Sequence, residues 1–168
     1  MISKEYCTEM SRYNEWQNKN LIEVIKGISD ENWSQDLDAF FHSLKGTLNH
    51  ILYADRAWMD RFKGKEVLVK DPKSILAESK DDWIRMRKQT DEEISFWFQN
   101  VQEDWLKNDF KFYSYILKTE ISKPTWLLVS HLFNHQTHHR SQATSILHRL
   151  GINYGVTDLA WIPPKDSK

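Results

Sequence analysis

The chain has 168 residues, enough for one domain spanning 1–168 around a continuous core and too few for two ordinary ones. With 23 Lys plus Arg against 24 Asp plus Glu, its formal net charge is -1, and no whole-protein field draws it to nucleic acid or to an anionic membrane surface. The opening "MISKEYCTEMSRYNEW" lacks the apolar core of a signal peptide, and nowhere do about 18 uncharged apolar residues run together, so a soluble, cytoplasmic protein is expected.

Eight Trp, six Tyr and eight Phe against only five Gly and four Pro favour long uninterrupted helices over turn-rich sandwiches. The first helix is expected near residues 3–28, where Tyr6, Met10, Tyr13, Leu21, Val24 and Ile28 recur largely at three- and four-residue steps before "SDENW" breaks the pattern. Cys7, the lone cysteine, lies early in it, so there is no internal disulfide and any metal must be held by nitrogen and oxygen. Its expected role is that of a small buried apolar residue.

A second helix is expected near 43–63, capped by Ser43, carrying Leu44, Leu48, Ile51, Trp58 and Phe62, and stopped by Gly64. A third, near 74–101, carries Leu76, Trp83, Met86, Ile94, Trp97 and Val101, with Asp81, Asp82, Arg85, Arg87 and Lys88 as a solvated outer face. The aromatic, alternating "FKFYSYILKTEIS" suits a short hairpin or an extended loop equally well. A fourth helix, near 124–150, is opened by Pro124 and stopped by Gly151. In the tail, Leu159, Ala160, Trp161 and Ile162 are expected to cover one end of the bundle, with the last residues loose.

The fourth helix holds "HLFNHQTHHRSQ", in which four of the seven histidines fall within nine residues. Leu128, Leu132, His135, His139, Gln142, Ile146 and Leu150 share one stripe, which places His135 and His139 where a bundle ordinarily wants Leu or Ile. Leu127, His131, Asn134, His138, Ser141, Ser145 and His148 share another that faces solvent. Four residues turn a helix through about 400°, so His135 and His139 sit about 6 Å apart along the axis and their imidazoles can converge on one ion. A third ligand must come from another element. His42 precedes the second helix, which leaves His50, flanked on its stripe by Thr47 and Ala54, as the better candidate.

The same histidines also have a plain reading as hydrogen-bonded core residues. A zincin peptidase does not fit, because Gln136 stands where HExxH requires Glu. Arg140 reads as a surface cation or as a holder of a substrate carboxylate or other anion, Trp58 and Trp126 as packing or substrate-stacking residues, and Asp55 as either a carboxylate supporting the metal ligands or a helix-end or surface group.

The pair "LNHILYADRAWMDRF" and "NHQTHHRSQ" resembles the DinB-like superfamily of damage-inducible and thiol-transferase proteins, whose C-terminal motif has the form N-H-x-x-H-H-R-G-Q, with Ser141 here in place of the usual Gly. The resemblance implies an all-α four-helix bundle of up-down-down-up order, often a homodimer, with a divalent metal held by His50, His135 and His139. Zinc or nickel would suit such a set, and iron, manganese and copper are compatible. It further implies a metal-dependent enzyme that transfers a low-molecular-weight thiol to an electrophilic substrate, as relatives using bacillithiol, glutathione-like thiols or mycothiol do. Two other classes stay open: a non-catalytic metal- or ligand-binding stress-response module, and a metal-dependent hydrolase.

Overall fold

The computed structural model describes residues 1–115 and 117–165. Four long helices dominate it: α1 (Lys4–Gly27), α3 (Leu44–Phe62), α4 (Lys80–Asn100) and α6 (Thr125–Arg149). Two short helices, α2 (Asp30–Ser34) and α5 (Glu103–Lys107), and a hairpin of β1 (Asp109–Ser114) with β2 (Thr119–Pro124) fill the connections. The strands pair antiparallel from Asp109↔Pro124 to Ser114↔Thr119, so the aromatic segment forms the hairpin. α1 packs on α4 and α6, and α3 on α4 and α6.

Local chemistry accounts for the helix ends. Ser3, Ser43 and Ser79 each turn a side-chain oxygen onto a backbone N–H of the first turn. Past the ends of α3 and α6, Gly64 and Gly151 adopt φ of +68° and +71°, which an L side chain would resist. Ser29, read as a breaker, caps α2, a helix too short to leave a period in the sequence.

Two apolar clusters fix the helix directions. One gathers Leu21 and Ile25 of α1, Leu44 and Leu48 of α3, Trp83 of α4, and Ala143 and Leu147 of α6. The other gathers Cys7, Met59 with Phe62, Ile94 with Phe98, and Leu128 with Phe133. α1 and α6 therefore run from the second cluster to the first, and α3 and α4 run the opposite way, which is the up-down-down-up order. Because α3 and α4 are parallel, residues 63–79 must return along the full bundle. Leu76, read as the start of the third helix, belongs to this crossover, and α4 begins at Lys80 rather than near residue 74.

Between the clusters lies a buried polar network drawn from all four long helices. Arg87 Nη1 donates to Asp55 Oδ2 at 2.6 Å, and its Nη2 lies 2.9 Å from Asp91 Oδ1, an ion pair off the hydrogen-bond direction. Asn14 and Asn18 donate to Asp91 at 3.1 and 2.8 Å, and Gln136 donates to Asp55 at 3.0 Å. Arg140 Nη1 donates to Asn14 Oδ1, and its guanidinium lies over the Tyr13 ring. Arg87 is thus wholly buried, not part of a solvated face, and Arg140 is 5% exposed, not a surface cation. Each carries its charge inward because a carboxylate or amide oxygen from a neighbouring helix receives it.

The tail departs from expectation. Leu159 and Trp161 remain exposed, while the preceding residues lie along α1 through Tyr13 Oη to Thr157 O and Gln17 Nε2 to Val156 O. The looseness expected at the chain end falls on 166–168, outside the described residues.

Candidate metal centre

His50 enters the site from the second turn of α3, and His135 and His139 from consecutive turns of α6. One candidate ligand atom from each lies within 4.8 Å of the others. His50 and His139 are buried and His135 is half-buried. The structure thus brings together with His50 the pair that the seam reading singled out, although the centre of the buried face is the adjoining stripe of Phe133, Gln136, Arg140 and Ala143. His138 and His148 are exposed, as the polar stripe requires, whereas His131, exposed in part, rests its ring centroid 5.4 Å from that of Trp58. His42 turns away, with φ of 66° and its Nδ1 3.1 Å from Asp36.

Tautomers follow from the partners. Pro72 O, 2.9 Å from His50 Nδ1, can only accept, so that nitrogen carries the proton and Nε2 carries the lone pair. Gln142 Oε1, 2.7 Å from His139 Nδ1, has the same effect on His139. His50 Nε2 then faces His135 Nε2 at 3.2 Å. Nitrogens bound at about 2.05 Å around a tetrahedral ion stand about 3.3 Å apart, so this spacing fits a shared cation. The outer nitrogens are held by a backbone carbonyl and a side-chain amide, the usual means of orienting imidazole ligands, and His135 Nδ1 is buried without a partner.

Burial, with the other histidines beside it, pushes His135 down to about 3, and burial lowers His50 and His139 too. All three are neutral at pH 7, the form in which imidazole binds a cation. Asp55, a possible support for the ligands, instead turns both carboxylate oxygens to Arg87 and Gln136.

Two residues that the sequence reading passed over set this geometry. Asn49 donates to Lys45 O and Ala77 O and accepts from the N–H groups of Leu76 and Ala77 at 2.8 Å each, pinning the crossover to α3 beside His50. That anchor presents Pro72 O to the imidazole. Phe41 stacks on His50 with ring centroids 4.1 Å apart, and Gly46 permits this, since a Cβ there would stand 2.1 Å from Phe41 O. An Asn directly before a ligand histidine was the available signal for the first, and a Gly inside a helical period for the second.

Beside the histidines opens a cavity of about 300 Å³, walled by Tyr53, Trp58, Phe112 and Tyr115, with Arg61 and Lys70 as its cations. Trp126, half-buried at the start of α6, does not line it.

The family model described as "DinB family" matches residues 1–166. The chain belongs to the DinB family. Protein DinB of Bacillus subtilis (strain 168) is 24% identical over 164 residues, covering 92% of this chain and 91% of that protein. A crystal structure of a DinB-like protein from Bacillus cereus ATCC 10987 superposes with a TM-score of 0.62 at 17% identity, over 84% of this chain and 90% of that one, and shows the shared DinB fold. Ser141, in place of the usual Gly of the DinB-like motif, is exposed, so its Cβ disturbs no packing. No described helix is long and apolar enough to cross a membrane.

Proposed function

We propose that this DinB-family chain binds one divalent ion through His50, His135 and His139 and transfers a low-molecular-weight thiol to an electrophile. The observation that carries the reading is the convergence of three neutral imidazoles, those of His50 and His139 with their Nε2 lone pairs free, at the edge of an aromatic-walled cavity. Zinc or nickel would suit the all-nitrogen donor set and, when bound, would make an entering S–H more acidic. The chain's own part is to orient and receive. Pro72 and Gln142 fix the ring planes, and Phe41 closes one face of His50 against water. His131 lies at the cavity with its centroid 5.6 Å from that of His135, and burial and the charge of Arg61 lower its pKa. It is neutral at pH 7 and can take the S–H proton, while the sulfur lone pair forms the S–C bond and the leaving group departs with its electron pair.

None of the described residues lining the cavity is a carboxylate, which favours this reading over hydrolysis. A thiol of pKa about 8.5 needs far less help to ionise than water, whose pKa is about 15.7. The test is a panel of thiols and electrophiles such as chlorodinitrobenzene, with zinc- or nickel-loaded protein. Thiol consumption that needs both the metal and His135 is expected. Metal and thiol binding without transfer to any acceptor would make the chain a binding module. The homodimer belongs to the same proposal and is read by light scattering.

A further inference from the structure

Arg61 lies on the face of α3 that carries His50. Steps of four, three and four residues lead from His50 through Ala54 and Ala57 to Arg61, and both alanines line the cavity, leaving room that larger side chains would fill. Eleven residues of helix rise about 16 Å, but long helical side chains lean toward the N-terminus, which brings the guanidinium back toward the histidines. It lies 4.9 Å from the Trp58 ring centroid and 5.5 Å from that of Phe112. Trp58 in turn touches His131, with centroids 5.4 Å apart.

What sets Arg61 apart from the buried arginines and from the cavity's other cation is that no described residue accepts from it. Arg87 has two carboxylates and Arg140 has Asn14, and Lys70, the cavity's other cation, has Glu66 at 3.5 Å. Among the described residues the Arg61 guanidinium has no hydrogen-bond or ion-pair partner, and its Nε is buried without one. Arg61 is half-buried, and withdrawing its Nε from water unpaired is costly, with two aromatic faces offsetting only part of that cost. A guanidinium stacked by its face still presents an edge of parallel N–H donors, the geometry that matches a carboxylate.

We propose that Arg61 recognises a small-molecule ligand through a carboxylate, with the rest of the ligand lying along Ala54, Ala57 and Trp58 toward the three histidines. This rests on the reading of the cavity as the substrate site and names the chemistry of what enters it.

The test is calorimetric titration of zinc-loaded protein with four probes: mercaptohexanoate, mercaptohexanol, hexanoate and hexanol. The carboxylates are expected to bind at least about tenfold more tightly than the matched alcohols. Arg61→Met, which keeps the apolar stem over Trp58, should abolish that preference without changing alcohol affinity or zinc content, and Arg61→Lys should retain part of it. Equal affinity for acids and alcohols, or a preference that survives Arg61→Met, overturns the proposal while leaving thiol transfer standing. A carboxylate preference lost in Arg61→Met, with no gain from the thiol, upholds the proposal and overturns thiol transfer. Absence of binding by all four overturns both.

Discussion

Arg87 and Asp55 pair at 2.6 Å, with neither side chain exposed to solvent. The pair joins α4 to α3, and Gln136 extends it to α6 directly beside His135. Arg87→Met leaves Asp55 and Asp91 buried without their shared cation, so a loss of about 3–5 kcal/mol is expected. Denaturant titration measures it, and a loss below about 1 kcal/mol would mean that water reaches the network.

The histidine cluster makes the metal-free protein acid-sensitive. Burial and the neighbouring rings hold His135 down at about 3, well below its unfolded value near 6.5. The folded state therefore binds fewer protons than the unfolded state between these values. The stabilisation is present above about pH 6.5 and is lost as pH falls toward 3. Between pH 6.5 and 5 His135 alone should cost about 2 kcal/mol, with the lowered His50 and His139 acting in the same direction. Urea unfolding of metal-free protein across this range should show the decline, and His135→Asn should flatten it. A level wild-type profile would contradict the assignment.

Asn49 should matter to metal binding without touching the ion. Its amide satisfies four backbone groups that link α3 to the crossover, and the crossover supplies the carbonyl that orients His50. Asn49→Ala is expected to weaken metal affinity about 10- to 100-fold, the usual effect of losing support behind a ligand histidine. Competition with a chelator reads this. Unchanged affinity would show that Pro72 holds its place without the anchor.

Much of this was legible in the sequence because long helices repeat their signal. The apolar periods, Ser43 and the stops at Gly64 and Gly151 located three of the four helices closely. The i, i+4 pair His135 and His139 stood out because a seam position rarely wants imidazole. The polar core was harder to read. Arg87 falls on the stripe of Trp83, Asp91 and Ile94, and Arg140 on that of Phe133, Gln136 and Ala143, yet a charged residue on such a stripe looks solvated until its partner is known. Those partners, Asp55 and Asn14, are 32 and 126 residues away. The start of α4 was missed for a similar reason. Leu76 and Ala77 are held by Asn49 of another helix, a tertiary contact that mimics helical spacing.

Cys7 should be inert. It is wholly buried in the second apolar cluster, and burial pushes its thiol up to about 12, far from the thiolate form needed for nucleophilic chemistry. Native protein should resist thiol-labelling reagents, and Cys7→Ala should keep its metal content and any thiol-transfer activity. Activity abolished by Cys7→Ala, with fold and metal intact, would overturn the scheme of an external thiol.

The most direct test of the account is metal content per chain in single histidine variants purified in the presence of zinc or nickel. About one ion per chain is expected in the wild type, with near-complete loss in His50→Ala, His135→Ala and His139→Ala, and near-wild-type content in His138→Ala and His148→Ala, whose rings are exposed. Loss of the ion in His138→Ala together with its retention in His139→Ala would contradict the three-histidine centre.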